Sequence, residues 1–144
     1  MRRIDDISSL DVLVILPHRR PFVLIDRLVS YDYDTTEITV EYTVPKEGVF
    51  LEGGRFTAEG LMENVAQACA ARVGFYNWLH EIPVRPGVVG AVKGMEVMLL
   101  PEIGQKLLTH IIPKAEALGL LMAEAKIMTE SGSHVAKCTV KVAV

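Results

Sequence analysis

The residues from 57 to 79, TAEGLMENVAQACAARVGFYNWL, place the strongest constraint on what this chain can fold into. The stretch contains no proline and little charge. Apolar side chains recur along it at helical spacing, at Leu61, Met62, Val65, Cys69 and Val73. We therefore predict one long helix from Thr57 to about Leu79. A helix so apolar over this length has to be buried by something larger than a neighbouring helix.

The rest of the chain has the pattern of β-strands. Residues 22–33 are rich in β-branched and aromatic types, and residues 35–44 alternate apolar and polar, which predicts a hairpin around residues 32–34. Beyond the helix, turn signals at 101–104, 119 and 131–132 separate four apolar segments. Strands and one long helix, without alternating βαβ units, indicate the α+β class with an antiparallel sheet. We expect a single domain over residues 1–144.

Two further segments complete the predicted elements. Ser8, Ser9 and Asp11 precede the residues VLVIL and predict a short capped helix that Pro17 ends. Residues 45–56, PKEGVFLEGGRF, contain one proline and three glycines among charges, and we predict a loop there.

Composition limits the function classes. A net charge of -3 and only 6% aromatic residues give no basic stripe with stacking side chains, so we expect no nucleic-acid partner. No segment approaches the roughly 20 apolar residues that span a bilayer, and the first residues lack a secretory pattern, so we expect a cytoplasmic protein. Cys69 and Cys138 have no metal-type spacing to another Cys or His, and we interpret them as reduced core residues. We predict no metal and no cofactor.

The polar face of the long helix holds the first candidate site residue. Glu59, Glu63 and Gln67 follow one another at intervals of four and form a stripe beside the apolar arc. Glu59 suits a surface role at the helix N-terminus. Glu63 is either solvated at an open edge or desolvated and suited to general acid work, and the sequence leaves both interpretations open.

The start of the helix is a second candidate. Thr57 is a plausible N-cap, and the backbone N–H groups of Ala58, Glu59 and Gly60 then point at whatever precedes the helix. Such groups can bind a carbonyl on which negative charge develops. Every helix has such an end, so this signal is weak alone.

Residues 17–21, PHRRP, form a third candidate, which we call the corner. Prolines flank His18, Arg19 and Arg20. His18 is either a turn residue satisfied by the backbone or a group at the mouth of a site. Arg19 and Arg20 can attract an acidic partner although the whole chain is negative.

These segments together resemble the β-hydroxyacyl-ACP dehydratases of the hot-dog fold. LPHRRPFVLIDRLV is similar to a segment of that family, and LMENVAQACAA resembles its central-helix motif, with Glu63 and Gln67 at matching positions. VVGAVKGMEVMLLPEIGQKL, which includes Gly90, resembles the segment after the helix. The resemblance implies a sheet wrapped around the helix, paired subunits with acyl tunnels between them, and substrate contacts at Thr57, Ala58, Gln67 and Gly90.

One departure from the family affects the chemistry. The family's dehydratases carry a His in a Gly-His-Phe-Pro-Gly loop about fourteen residues before the helix acid, and that position holds Val49 here. Thr57 and Ala58 replace the Pro-Gly that opens the family's helix. The usual division of labour between that His and the acid cannot be carried over, so we name Glu63 and His18 as the candidate catalytic pair.

Three functions follow from the resemblance. We prefer a divergent 3-hydroxyacyl-ACP dehydratase of fatty-acid, aryl-polyene or pigment-type biosynthesis, which would take phosphopantetheine-linked acyl groups from acyl carrier protein through Arg19 and Arg20. We expect it to form a homodimer or higher even oligomer. The alternatives are a catalytically weak acyl-ACP-binding protein or partner subunit of an active homologue, and an acyl thioesterase.

Overall fold

The computed structural model describes residues 1–83 and 89–143, and it contains one long helix against a six-stranded antiparallel sheet. The helix, α1, runs from Ala58 to Leu79, as predicted. The strands are β1 (Arg27–Tyr31), β2 (Ile38–Thr43), β3 (Leu51–Glu52), β4 (Arg55–Phe56), β5 (Val89–Val97), β6 (Lys106–Ala117), β7 (Leu120–Thr129) and β8 (His134–Ala143).

The large sheet has the strand order β1-β2-β6-β7-β8-β5, so β1 and β5 are its edges. Along β7, buried and outward residues alternate, as expected for a sheet with one covered face. The buried set is Leu121, Ala123, Ala125, Ile127 and Thr129. The apolar members of this set belong to one buried cluster with Leu61, Val65, Ala68 and Phe75 of α1. The core therefore lies between the helix and the inner face of the sheet.

The N-terminal segment differs from the predicted helix. It forms two short 3₁₀ turns, Ile7–Ser9 and Val12–Val14, because Leu10 between them is extended. Each turn is capped by an aspartate: Asp6 accepts from the N–H of Ser8, and Asp11 accepts from the N–H of Leu13. Asp11 was among the residues predicted to cap this segment, whereas the first turn is capped by Asp6 and not by Ser8 or Ser9.

The first long strand begins later than predicted. Residues 22–26 lie outside β1, because the backbone of Phe22 and Leu24 bonds to side chains of α1 instead of a neighbouring strand. The predicted loop over residues 45–56 contains the two-stranded hairpin β3-β4, whose strands are too short to show an alternating pattern.

The two cysteines are buried and free, as predicted. Burial raises the pKa of Cys69 to about 12 and that of Cys138 to about 11, so both thiols stay protonated at neutral pH. Among the described helices, none is long and apolar enough to cross a membrane. The predicted break after the helix lies partly at residues 84–88, outside the described residues.

Candidate active site

Glu63 lies in the wall of an open groove of about 380 Å³ between α1 and the edge strand β5. We call this cavity the Glu63 groove. The Glu63 side chain is 39% exposed, so its carboxylate lies at an open edge and not inside the core. The groove is lined by Phe50, Glu59, Met62, Glu63, Ala66, Ala91 and Val92.

The fold brings His18 close to Glu63, although 44 residues lie between them in the sequence. His18 Nε2 lies 3.9 Å from Glu63 Oε1, which is close contact but longer than a direct hydrogen bond. His18 Nδ1 is buried and has no hydrogen-bond partner among the described residues. Nε2 is thus the ring nitrogen beside the carboxylate, and the two groups are close enough to act on one bound substrate.

Gln67 holds the Glu63 carboxylate in place. Its Nε2 donates to Glu63 Oε1 at 2.9 Å and to the carbonyl of Phe22 at 2.7 Å. Its Oε1 accepts from the N–H of Leu24 at 2.7 Å. Because both amide hydrogens are engaged, Gln67 orients Glu63 and ties α1 to the segment that follows the corner.

Asn64 also ties α1 to the segment that follows the corner, and it was missed in the sequence. Its Nδ2 donates to the carbonyl of Leu24 at 2.8 Å, and its Oδ1 accepts from the Thr109 hydroxyl of β6. Asn64 is fully buried. Asn64 could have been recognised because its amide lies at helical spacing from Leu61 and Ala68 on the apolar face. A buried polar group there needs hydrogen-bond partners, since an unpaired one is costly.

The start of α1 confirms the predicted cap. Thr57 Oγ1 accepts from the N–H of Gly60 at 3.2 Å, and the N–H of Thr57 donates to the carbonyl of Phe50 at 2.9 Å. Ala58 is half-buried in the first turn, next to the groove residue Glu59. Gly90 lies in β5 directly before the groove residue Ala91. Both predicted substrate-contact regions thus adjoin the groove.

The two arginines of the corner differ in their surroundings. Arg19 Nη1 donates to the carbonyls of Leu16 and His18, at 3.1 and 2.8 Å, and so braces the corner. Arg20 is exposed. Burial of the nearby Asp26 carboxyl raises its pKa, and the positive charge of Arg20 acts against this rise. The corner therefore presents positive charge beside His18.

The loop that contains the catalytic His in the resembling dehydratases contains no such group here. Val49 occupies that position and is 79% exposed. Across residues 1–83 and 89–143, His, Cys, Asp and Glu side chains form no group of three or more that could hold a metal ion.

Comparison with known proteins identifies the family of this chain. The model of the ApeP-like family, described as ApeP dehydratase, matches residues 10–144. A 3-hydroxyacyl-[acyl-carrier-protein] dehydratase FabZ from Brucella ovis is 37% identical over 86 residues, which are 58% of this chain and 52% of the relative. The FabZ from Sinorhizobium medicae is 29% identical over 72 residues, 44% of this chain and 47% of the relative. The chain thus spans about half the length of these curated relatives.

Solved structures share the fold. The dehydratase heterocomplex ApeI:P from Xenorhabdus doucetiae contains a chain that aligns with a TM-score of 0.82 at 18% identity, covering 94% of this chain and 91% of that one. A hypothetical thioesterase with coenzyme A from Streptococcus pneumoniae aligns with a TM-score of 0.66 at 13% identity, covering 82% and 84%. At these identities the likeness establishes the hot-dog fold alone.

Proposed function

The chain belongs to the ApeP-like dehydratase family, and from that premise we propose that it removes water from a 3-hydroxyacyl thioester of acyl carrier protein to give the trans-2-enoyl thioester. One observation carries the proposal. Glu63 is fixed by Gln67, lies 3.9 Å from His18 and faces an open groove. A carboxyl group and an imidazole in contact are suited to move the two protons that dehydration requires.

The reaction is divided between these two groups. His18 Nε2 takes a proton from C2, and the electron pair of that C–H bond forms the C2–C3 double bond. The C3–O bond breaks with its electron pair, and the Glu63 carboxyl gives a proton to the leaving hydroxyl, which departs as water. Gln67 keeps the Glu63 carboxyl group aimed into the groove.

The start of α1 and the start of β5 receive the thioester in this proposal. The backbone N–H of Ala58 binds the thioester carbonyl beside the Thr57 cap, because the N–H of Thr57 already donates to Phe50. The pantetheine arm passes Gly90, which precedes the groove residue Ala91 in the chain. Arg19 and Arg20 attract the acidic carrier protein to the groove mouth, because they directly follow His18 in the chain.

We propose that a second subunit closes the groove. The edge strand β5 pairs with β8 on one side, and Ala91 and Val92 of β5 line the open groove. An unpaired edge beside an apolar opening is a ready place for another chain. A two-fold pair, or a higher even assembly, would cover it.

The experiment is a product assay with a purified 3-hydroxyacyl carrier protein. Dehydration lowers the mass of the acyl carrier protein by one water and creates enoyl absorbance, whereas thioester hydrolysis releases free carrier protein. We expect loss of water without release of carrier protein. Release of free carrier protein as the only product would contradict the proposal and support the thioesterase alternative.

A second candidate is the role of partner subunit to an active homologue. Val49 favours it, since the loop where the resembling enzymes place their base has no titratable side chain at that position. The likeness to a chain of a heterocomplex gives it further support. In this candidate the homologue supplies the base.

Two additions to the product assay distinguish the candidates. A homologue with the Gly-His-Phe-Pro-Gly loop is added in equal amount, and Val49→His is tested alone. If His18 is the base, neither addition raises turnover per active site much. If the base is missing, the parent chain is inactive alone, and the homologue or Val49→His raises turnover.

A further inference from the structure

The side chain of Phe50 lies between two cavities. On one side is the Glu63 groove. On the other is a smaller and more enclosed cavity of about 50 Å³, which we call the aromatic recess. Within residues 1–83 and 89–143, Phe50 alone lines both cavities. The apolar side chains around the recess include Phe22, Leu24, Tyr42, Val49 and Phe56.

Packing fixes Phe50 in this dividing position. Its ring meets the ring of Phe56 edge-on, with 6.3 Å between centroids, and Phe56 in turn contacts Tyr42 at 5.7 Å. On the helix side, a Cβ at Gly60 would lie 2.8 Å from Phe50 Cβ and 2.7 Å from Phe56 Cζ. The missing side chain at Gly60 therefore allows Phe50 to pack closely against α1. The neighbouring side chains fix the position of the Phe50 ring.

The chemistry of the recess suits the tail of an acyl group. With the reacting C3 of a substrate at Glu63, the thioester leads out of the open groove and the hydrocarbon tail leads away from it. An apolar tail gains free energy from burial against apolar side chains, and the recess next to the groove is lined mainly by such side chains. Tyr42 also lines the recess, and its burial raises its pKa to about 12.

We infer that Phe50 sets the acyl-chain length that this site accepts, because its ring closes the aromatic recess to a tail bound in the Glu63 groove. This inference rests on the proposed function, since it takes an acyl thioester as the ligand. A smaller side chain at position 50 joins the two cavities and admits a longer tail. A larger one narrows the groove end and favours a shorter tail.

Binding of saturated acyl carrier proteins, from butyryl to dodecanoyl, tests the inference without any chemical step. We expect Phe50→Ala to change the ratio of dissociation constants for hexanoyl and dodecanoyl chains at least about 10-fold in favour of the longer chain, as an added methylene in an apolar pocket typically does. Phe50→Trp should change the ratio in the opposite direction. Phe50→Leu keeps apolar packing, and it gives the answer if the alanine variant fails to fold.

Two matched controls touch one cavity each. Met62→Ala enlarges the Glu63 groove alone, and Val49→Ala enlarges the recess alone. Both should leave the ratio near that of the parent chain. An unchanged ratio in the folded Phe50 variants, or an equal shift in Met62→Ala, would overturn the inference. A parent chain that binds acyl carrier proteins without dehydrating them would refute the proposed reaction but not the role of Phe50.

Discussion

Glu63 and Gln67 lie one helical turn apart on α1, and that spacing lets the amide donate to the carboxylate. The stripe was predictable from the sequence because helical periodicity fixes which side chains are neighbours. The full set of bonds was not, since Gln67 also bonds to Phe22 and Leu24, more than 40 residues earlier. Phe50 was missed for a similar reason: a Phe in a Gly-rich loop carries no sign of which cavities it will border.

Arg20 offers a test of how the carrier protein is recognised. Charge reversal in Arg20→Glu should weaken binding of acyl carrier protein and make it less sensitive to salt, because an attractive contact between opposite charges is replaced by a repulsive one. Dissociation constants measured across a salt series provide the readout. The double reversal with Arg19→Glu should weaken binding further, although Arg19 also braces the corner.

Arg3→Glu is the matched control for charge. Arg3 is exposed and follows Arg2, whose N–H bonds to the carbonyl of Leu79 at the far end of α1. About 24 Å of helix separates Leu79 from Glu63, given the usual rise per residue. If Arg3→Glu and Arg20→Glu have equal effects, the corner has no special part in docking.

At the scale of elements, α1 was predictable to within one residue, because a proline-free apolar run and a Thr cap are both local signals. The start of β1 was not, because Asn64 and Gln67 compete with strand pairing for the backbone of residues 22–24. The hairpin β3-β4 was not predictable either, because strands of two residues are too short to show an alternating hydrophobic pattern. Local propensity decides the first case, and tertiary contacts decide the others.

Gly74 tests how α1 positions the corner. A Cβ at this residue would lie 2.0 Å from the carbonyl oxygen of Ile15, three residues before His18. Gly74→Ala should therefore lower the free energy of unfolding by about 1–3 kcal/mol, as overpacking does, and it should lower turnover by displacing His18. Denaturant unfolding measures the first effect and the product assay measures the second.

The direction in which Gly74→Ala changes the free energy of unfolding distinguishes a crowded helical position from an uncrowded one. At an uncrowded helical position, Gly→Ala stabilises by up to about 1 kcal/mol through helix propensity. A gain in stability for Gly74→Ala would thus contradict the close approach of Ile15 to α1.

At the scale of the whole molecule, the exposed apolar residues near β5 predict assembly. Met62 on α1 and Val97, Met98 and Leu100 on β5 and just beyond it are each more than one-third exposed. We expect light scattering at micromolar concentration to give at least twice the 15.9 kDa of one chain. Val97→Lys should shift the mass towards a single chain, because charge on an edge strand opposes pairing.

Leu118→Lys is the matched control, since Leu118 is fully exposed in the turn between β6 and β7, away from β5. It should leave the mass unchanged. A single-chain mass for the parent protein would contradict self-assembly through the β5 edge.

The most direct test of the central claim is the turnover of Glu63→Gln on a 3-hydroxyacyl carrier protein. Glutamine keeps the size of the side chain and an oxygen that can accept from Gln67, so the fold should be retained, with an unchanged unfolding midpoint. It cannot give up a carboxyl proton, and turnover should fall by about 10²–10⁴-fold. A comparable loss in His18→Asn would identify the base. A parent chain that dehydrates the substrate and a Glu63→Gln variant with equal turnover would contradict the account.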